Sequence, residues 1–365
     1  ITMSTGHIEE PFPRAEVQDW VGAFLQSEIP LKPGTHFKYK SMATYMLSAI
    51  IQEVTGEKLV DFLDPRLFQP MDIPKPEWDE CPEGINTGGW GLHIRTEDIA
   101  KLGQLYLQKG SWKGKQILSQ EWVEMATSRQ VSNGSNPDND WEQGYGFQFW
   151  RCRHNCYRGD GAFGQFCIVM PEKDAVLAIT SGANDMGGVM DLVWEILLPA
   201  MSADPLPPDP ETRKKLVQKT SDLRLLPVMG GSSPSLPKKV LNGKFTLGEN
   251  QAGIRSVAFS LSGKKPSLLM ETDDGRVSIA IGGGTYLKGD PDGSLPFCSH
   301  LKGGIAASGD WVNPSEFKLR VYFYETPARI TYNFNFEEKE LTWESKLEQS
   351  IFGPRKIEAM HGKLQ

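Results

Sequence analysis

The sequence predicts an α+β domain followed by an all-β domain, and three observations lead to this prediction. Helical and strand-like segments are mixed over roughly the first 200 residues, a proline-rich stretch follows at 202–210, and short alternating strands fill the rest. The length of 365 residues and the 39% hydrophobic content suffice for two sizeable cores. We expect the first domain at 1–203, a linker with a connecting helix at 204–238, and the second domain at 239–365.

A helix is predicted between the turn Tyr39-Lys40-Ser41 and Gly56. Glycine is a common C-terminal cap, and apolar residues before it recur at helical spacing, so we expect them to face a core. Tyr39 and Ser41 lie directly before this helix, where side chains project into a cleft. The apolar residues at helical spacing are Met46, Leu47, Ile50, Ile51 and Val54.

A glycine-containing strand, a turn and a second strand are predicted at 157–181. Three glycines precede an apolar strand at 166–170, a Pro-Glu-Lys-Asp turn follows, and another apolar strand covers 175–180. Glycines at the opening of a strand mark a place where the backbone lies close to another group. One interpretation is a substrate carbonyl that accepts a hydrogen bond from a backbone N–H, and the other is a hairpin with a flexible lead-in.

The second domain is predicted to be a small antiparallel, lipocalin-like barrel or sandwich of about eight strands. Its aromatic residues either fill the core or line a ligand cavity, and the core-filling interpretation is preferred. The segments with strand patterns are 243–247, 256–261, 267–272, 276–281, 317–324, 329–336 and 340–346. The aromatic residues are Tyr322, Tyr324, Tyr332, Phe334, Phe336 and Trp343.

Composition and charge exclude two kinds of partner. The net charge of −7 argues against nucleic acid. No run approaches the roughly 18 consecutive apolar residues of a membrane helix. The most apolar candidate, 188–201, contains Asp191 and Glu195 and is predicted to be the amphipathic last helix of the first domain. We therefore expect a soluble chain without a membrane span.

Five cysteines, an odd number, favour free thiols in a reducing compartment. Cys152 and Cys156 are close enough in sequence for a local disulfide, which is the alternative. With His154 between them they still lack the four ligands of a structural zinc, so we predict no metal and no other cofactor. The free-thiol interpretation favours the cytoplasm, with a secreted or periplasmic location as the alternative. The cysteines are Cys81, Cys152, Cys156, Cys167 and Cys298.

Several short motifs follow one another along residues 1–203. They are Pro33-Gly-Thr-His-Phe37, Tyr39-Lys-Ser41, Leu67-Phe-Gln-Pro-Met-Asp-Ile73, Thr87-Gly-Gly-Trp-Gly-Leu92, Thr96-Glu-Asp-Ile-Ala-Lys-Leu-Gly103 and Gly159-Asp-Gly161. In this order and spacing they resemble the serine β-lactamase and penicillin-binding-protein superfamily, in particular the class C β-lactamase-like serine hydrolases. Tyr39-Lys-Ser41 matches the family's Tyr-x-Asn or Tyr-x-Ser element, and Gly159-Asp-Gly161 stands in place of its Lys-Thr-Gly or His-x-Gly element.

The resemblance implies an antiparallel sheet flanked by helices and hydrolysis through an acyl-enzyme. In the family a lysine and a tyrosine together assist the serine nucleophile, so Tyr39 corresponds to the base, or to the acid that protonates the leaving group. A tyrosine does this near neutral pH only if cations lower its pKa, and the candidates are Lys40, Arg158 and the lysine of the family's nucleophile turn. Ser41 corresponds to a hydrogen-bond partner of the substrate amide or of the lysine, and the alternative is a helix N-cap.

The strand motif implies a substrate-binding role for Arg158, Gly159, Asp160 and Gly161. Gly159 stands where the family places a Lys or His beside the substrate carboxylate. An acidic Asp160 disfavours an anionic carboxylate and favours an amine or a neutral ester, which puts β-lactam recognition in doubt. The alternative is that Asp160 is a carboxylate paired with Arg158.

The residues after the strand motif are expected to complete the site. The backbone N–H of Ala162 is predicted to be the second oxyanion donor. Trp90 and Phe163 are candidates for the walls of an acyl pocket, and ordinary core packing is the alternative for both.

The family's nucleophile is the serine of a Ser-x-x-Lys turn that opens a buried helix, upstream of these motifs. Ser-x-x-Lys strings occur at Ser235–Lys238, Ser262–Lys265 and Ser299–Lys302. None of the three opens an apolar helix and all lie outside 1–203, so we interpret them as chance. We therefore expect the chain to begin after the nucleophile helix and to be inactive in acyl transfer by itself.

Three functions remain open at this point. The first is a serine hydrolase acting on an ester, an amide or a D-amino-acid peptide. The second is a β-lactamase or D,D-carboxypeptidase of the same superfamily, and both would take a small-molecule or peptide-like substrate. The third is a non-catalytic binding module, which a Ser-x-x-Lys turn at a buried helix start would distinguish from the other two.

Overall fold

The chain divides into two compact units, which we describe separately. The computed structural model describes residues 1–10, 17–291, 293–298, 301, 303–349 and 355–365. The first unit comprises Ile1–Ser181 with Asp185–Pro205, and the second comprises Gly182–Asn184 with Leu206–Gln365. The predicted domain limits and the linker at 204–238 stay predictions.

The first unit combines helices with short antiparallel strands. Its described helices are α1 (Trp20–Gln26), α2 (Ser41–Thr55), α3 (Leu59–Leu63), α4 (Thr96–Leu107), α5 (Gln120–Thr127), α6 (Met186–Leu192) and α7 (Leu198–Ala200). Its described strands are β1 (Glu77–Trp78), β2 (Leu92–His93), β3 (Ser111–Trp112), β4 (Lys115–Gln116), β5 (Trp150–Arg151), β6 (Tyr157–Gly161), β7 (Gln165–Met170) and β8 (Ala175–Ile179). Strands β5 to β8 form one antiparallel sheet in chain order, and β1–β2 and β3–β4 are separate pairs.

The glycine-containing segment at 157–181 is a meander of three strands. The predicted apolar strands lie in β7 and β8, and the predicted turn is a 3₁₀ turn at Pro171–Lys173. The three glycines do not share one strand, because β6 ends at Gly161 and a three-residue turn leads to β7. Phe163 and Gly164 in this turn both have positive φ, 67° and 75°. The hairpin therefore brings the end of β6 to an exposed corner of the sheet.

Helix α2 is confirmed, and Met46 packs against a core as predicted, but the prediction is wrong for Ile50 and Val54. Gly56 has a φ of 73° and its N–H donates to the carbonyl of Gln52, as a C-terminal cap does. Ile50 and Val54 are 53% and 78% exposed. The buried side of α2 instead packs Met42 and Tyr45 against α1 and the segment around Cys81. Apolar spacing marks two sides of this helix, and spacing alone does not say which side meets a partner.

Glycines allow two helices to approach their neighbours closely. A Cβ added at Gly103 in α4 would lie 2.5 Å from Val176 Cγ1 and 2.8 Å from Cys167 Sγ, so α4 rests directly on β7 and β8. A Cβ at Gly89 would lie 2.8 Å from the backbone oxygen of Ser41. Gly89 therefore lets the 87–92 segment lie close to α2, and Gly103 lets α4 lie close to β7 and β8.

The second unit is a nearly closed antiparallel barrel of ten strands, two more than the approximate number predicted. The described helices before it are α8 (Pro210–Ser221) and α9 (Lys238–Leu241). The strands are β9 (Lys244–Leu247), β10 (Ile254–Ser260), β11 (Ser267–Thr272), β12 (Gly275–Ala280), β13 (Leu287–Gly289), β14 (Ile305–Trp311), β15 (Glu316–Phe323), β16 (Arg329–Phe336), β17 (Glu340–Leu347) and β18 (Arg355–Leu364). Their order in the sheet is β12-β11-β10-β9-β18-β17-β16-β15-β14-β13. Near the two edges, the Gly309 N–H donates to the carbonyl of Gly282 at 3.0 Å.

Aromatic side chains fill the barrel. Tyr332, Phe334, Phe336 and Trp343 are buried in its core, which confirms the core-filling interpretation for these four. Tyr324 is exposed at the surface. A cavity of about 530 Å³ lies in the second unit, and none of the predicted site residues lines it. Its lining consists of Gly248, Glu249, Asn250, Gln251, Phe297, Ile357, Glu358, Ala359, Met360 and His361.

Among the helices that the structure describes, none combines the length and the apolar character needed to cross a bilayer.

Substituting Gly103 with alanine is expected to destabilise the first unit. The new methyl group would overlap Val176 and Cys167, and overpacking of this kind costs about 1–3 kcal/mol, less the roughly 1 kcal/mol that alanine gains in a helix. Gly187 in α6 is the matched control, because a Cβ there meets only Asp185 Oδ1 at 3.6 Å. Urea unfolding of the two variants measures the difference. A Gly103→Ala protein as stable as Gly187→Ala would contradict the close packing of α4.

Candidate active site

Tyr39 lies in the extended stretch before α2 and packs against strand β5. Its ring stacks on that of Trp150, with centroids 5.5 Å apart and planes 23° apart. Phe37 and Tyr145 pack against other parts of the same indole, at 5.6 and 5.0 Å. Tyr39 stays 40% exposed, whereas Trp150 is 8% exposed. A phenol at the surface is thus held by a buried aromatic cluster.

Neither Lys40 nor Arg158 lowers the pKa of Tyr39, contrary to the expectation for these two cations. Desolvation, followed by the negative charges of Asp160 and Glu10, raises the pKa of Tyr39 to about 12. Lys40 is buried and its ammonium donates to the carbonyl of Ile8 at 2.7 Å, so it is engaged elsewhere. The phenol of Tyr39 is therefore neutral near pH 7 and suited to donate a proton.

The N-terminus of α2 is capped by Glu10, a residue that the sequence interpretation did not single out. Its carboxylate accepts hydrogen bonds from the N–H groups of Ser41 at 3.3 Å and Met42 at 3.0 Å. Lys40 occupies the N-cap position and Ser41 is the first helical residue, so the N-cap alternative for Ser41 is wrong. A carboxylate here satisfies free backbone donors and complements the helix dipole. The substrate role of Ser41 stays a prediction.

Arg158 is a buried structural cation. It donates to the Asp160 carboxylate at 2.9 Å, to the backbone oxygen of Asp140 at 3.0 Å and to Cys152 Sγ at 3.1 Å. Its side chain has no exposed surface. Because this guanidinium does not reach solvent, the structure does not support direct contact between Arg158 and a substrate.

Asp160 forms the other half of this ion pair, as the alternative interpretation of the sequence stated. Its carboxylate also accepts a hydrogen bond from the indole of Trp141 at 3.0 Å, and the nearby indole of Trp150 favours its ionised form. Desolvation raises the pKa of Asp160 even though Arg158 opposes the shift. A carboxylate so enclosed is not free to bind a substrate amine, so this geometry does not support the expected amine selectivity.

Tyr145 is a buried neighbour of Tyr39 that the sequence interpretation missed. Its ring meets Trp150 edge-on, with the planes 88° apart. Desolvation, then the charges of Tyr39 and Asp160, raise its pKa well above the ordinary range. The aromatic-rich run from Tyr145 to Trp150 was the available signal, but such a run more often marks core packing than a site.

The corner between β6 and β7 presents the predicted strand motif. A Cβ added at Gly159 would meet no atom within 4 Å, so open space lies over this position, and at Gly161 it would meet only Gln165. Ala162 is exposed, and no backbone acceptor within the described residues binds its N–H. The hydroxyl of Ser181 donates to the carbonyl of Phe163 at 2.6 Å and fixes this turn. The Ala162 N–H is thus available to an incoming oxygen atom.

Trp90 lies in a separate hydrophobic cluster. It packs against buried Met42, Tyr45 and Cys81, and its ring centroid is 6.0 Å from that of Trp20. The structure therefore places Trp90 in the packing behind α2. Phe163 is partly buried in the β6–β7 turn, and its pocket role stays a prediction.

All five cysteines are free thiols, so the alternative of a Cys152–Cys156 disulfide is wrong for this structure. Both thiols are buried, and desolvation raises the pKa of Cys152 to about 11 and that of Cys156 to about 12. Within the described ranges, no three His, Cys, Asp or Glu side chains converge in a way that would hold a metal ion.

The Ser-x-x-Lys strings lie in the second unit. Ser235 precedes α9 in a loop, and Ser262–Lys265 falls in the loop between β10 and β11. Ser299–Lys302 includes residues outside the described part of the chain. The chain also contains a fourth string, Ser315–Lys318, which leads into β15. None of the three described strings begins with a serine at the start of an apolar helix.

Comparison with known proteins links the first unit to a large group of hydrolases. The family model described as Beta-lactamase matches residues 2–197. The 6-aminohexanoate-dimer hydrolase of Paenarthrobacter ureafaciens is 26% identical over 156 residues, which is 41% of this chain and 40% of that protein. The chain therefore spans about two fifths of the length of this curated relative.

Two solved structures are also similar. A Bacillus anthracis protein, named provisionally as a 6-aminohexanoate-dimer hydrolase, shares 21% identity and a TM-score of 0.45 over 53% of each chain. SurE with D-Leu shares 14% identity and a TM-score of 0.45, over 87% of this chain and 74% of that one.

The neutral state of Tyr39 is testable by titration. With its pKa raised to about 12, Tyr39 should add no phenolate absorbance at pH 9–10, where an ordinary tyrosine with a pKa of about 10 is partly ionised. The difference in near-ultraviolet absorbance between wild type and Tyr39→Phe measures this, with circular dichroism confirming that both are folded. Because the folded state holds this proton more tightly, its contribution to stability should be lost as pH rises from about 10 towards 12. A Tyr39 phenolate signal below pH 9 would contradict the assignment.

Proposed function

The chain belongs to the β-lactamase family, and we propose that the protein containing it is a serine hydrolase that cleaves an ester or amide through an acyl-enzyme. One observation carries the proposal. Tyr39 stacks on Trp150 of β5 and is close enough to Asp160 of β6 for that charge to raise its pKa. Asp160 is two residues before Ala162, whose N–H is open. A proton donor and an oxyanion donor therefore belong to one corner of the sheet.

Tyr39 acts as the acid in this proposal. The serine and lysine of a Ser-x-x-Lys turn supply the nucleophile and its base, as the family resemblance implies. The serine oxygen bonds to the acyl carbon, and the Ala162 N–H stabilises the negative oxygen that forms. When the bond to the leaving group breaks, the Tyr39 phenol gives its proton to that group, and the phenolate regains a proton from the lysine that took it from the serine. Water then attacks the acyl carbon, which releases the acid and restores the serine hydroxyl. A neutral phenol with a pKa of about 12 supports this direction of transfer.

The substrate is proposed to be a neutral ester or amide rather than a β-lactam. Gly159 offers no cation to a substrate carboxylate, and the space above it leaves room for an uncharged group. Arg158 is enclosed by Asp160 and does not replace the missing cation. From the relative named as a 6-aminohexanoate-dimer hydrolase we take only the reaction class, hydrolysis.

The leaving group tests the role of Tyr39. In the natural protein, Tyr39→Phe is expected to lower kcat/KM for a p-nitroanilide by about 10²–10⁴-fold, because an amine must be protonated to leave. A p-nitrophenyl ester of the same acid should lose far less, since p-nitrophenolate leaves without a proton. Tyr324→Phe, at an exposed position of the barrel, is the control. Equal losses with both substrates would point to a base, and no loss with either would exclude Tyr39 from the chemistry.

Covalent labelling tests the serine mechanism. We expect the natural protein to gain one fluorophosphonate adduct, measured by intact mass. Residues 1–365 alone should remain unlabelled, because no described Ser-x-x-Lys serine opens an apolar helix. An adduct on a serine of this chain would refute the second expectation. A natural protein that never reacts would favour the non-catalytic binding function.

A further inference from the structure

We propose that Trp150 is a positioning residue for Tyr39, because it joins the Tyr39 ring to the buried Arg158–Asp160 ion pair. The inference rests on the proposed function, in which the Tyr39 phenol gives a proton to the leaving group. It adds a residue that touches neither the substrate nor the reacting atoms. Four observations support it. Three concern the contacts of the Tyr39 and Trp150 rings, and the fourth is a comparison with Trp141.

The first observation is that Tyr39 depends on stacking for its orientation. Within the described residues its hydroxyl makes no hydrogen bond, and its backbone takes no part in a strand. The contact that fixes its ring plane is the stack on Trp150, at 5.5 Å and 23°. Since Tyr39 is 40% exposed, loss of this contact would leave the phenol free to turn into solvent.

The second observation is that the sheet fixes Trp150. It is paired with Arg158 in the register of β5 and β6. Phe37 and Tyr145 close two further sides of the indole at 5.6 and 5.0 Å, both edge-on. With only 8% of its surface exposed, Trp150 has little freedom to change rotamer.

The third observation is the polar link to the ion pair. The Arg158 guanidinium lies 5.6 Å from the Trp150 ring centroid, and the Trp150 indole is near enough to the Asp160 carboxylate to favour its ionised form. A cation beside the face of an indole restricts rotation of the ring. The ion pair therefore helps to fix the orientation of the Trp150 indole, on which the ring of Tyr39 stacks.

The fourth observation is that Trp141 contacts the same ion pair as Trp150 but does not stack on Tyr39. Its indole donates to the same Asp160 carboxylate at 3.0 Å and lies 4.6 Å from the Arg158 guanidinium. No ring contact joins Trp141 to Tyr39 in the described structure. A substitution at Trp141 therefore disturbs the ion pair without removing the stack.

The experiment measures kcat and KM of the natural protein with a p-nitroanilide. The variants are Trp150→Leu, Trp150→Phe, Trp141→Phe, Tyr39→Phe and the double variant Trp150→Leu/Tyr39→Phe. We expect Trp150→Leu to lower kcat by about 10–100-fold, because a displaced catalytic group costs this much, while KM changes by less than about threefold. Trp150→Phe keeps a smaller aromatic ring for stacking and should lower kcat by about two- to tenfold. Trp141→Phe disturbs the ion pair but leaves the stack, so its loss of kcat should be clearly smaller than that of Trp150→Leu.

The double variant separates positioning from general stability. If Trp150 acts through Tyr39, then Trp150→Leu should cause no further loss in the Tyr39→Phe background. The same loss in both backgrounds would overturn the inference. So would a kcat loss for Trp141→Phe equal to that for Trp150→Leu. Should circular dichroism show that the leucine variant is unfolded, the same cycle with Trp150→Phe decides, and an absent or background-independent effect refutes the inference.

The two proposals fail in different ways. If Tyr39→Phe keeps full p-nitroanilide activity, the acid role in the proposed function is wrong. If Tyr39→Phe loses activity while every Trp150 variant keeps it, the proposed function stands and only the positioning role of Trp150 is wrong.

Discussion

The buried ion pair of Arg158 and Asp160 is the interaction on which the candidate site depends. A guanidinium without exposed surface needs a carboxylate and further acceptors nearby, since removal of one partner leaves an uncompensated buried charge. Asp160 supplies the carboxylate, and the backbone oxygen of Asp140 accepts another N–H of Arg158. The indole of Trp141 hydrogen-bonds the same carboxylate, and the neighbouring indole of Trp150 stacks on the ring of Tyr39. The surface phenol is thus connected to the interior of the unit.

Desolvation is the main cause of the raised pKa of Tyr39. Partial burial against Trp150 desolvates the Tyr39 phenol, and the negative charges of Asp160 and Glu10 raise its pKa further. A phenol in such surroundings keeps its proton. This protonation state supports the proposed role of Tyr39 as a proton donor.

Close packing through glycine places the supporting elements. Gly103 brings α4 onto β7 and β8, and Gly89 lies against the first turn of α2. At these positions a methyl group would need space that another atom already occupies. In the barrel, by contrast, large aromatic side chains such as Trp343 and Phe334 fill the interior. The two units thus reach dense packing by different residue choices.

Several parts of the fold followed from the sequence. Local patterns were sufficient for α2 with its Gly56 cap, for the strands β7 and β8, and for most barrel strands, because period and turn chemistry are local properties. The strands β13, β14 and β18 were missed. In β14, small residues such as Ala306 and Gly309 hide the alternation, and β13 is only three residues long.

The sequence by itself determined the family resemblance and the candidate site residues, since motif order is written along the chain. The tertiary structure alone decided what surrounds those residues. It enclosed Arg158, paired Asp160 internally and assigned the cap of α2 to Glu10. It also brought Tyr145 and Trp150 to Tyr39 across more than 100 positions. The physical reason is that pKa, burial and stacking depend on neighbours distant in sequence, and no local pattern specifies which neighbours will meet.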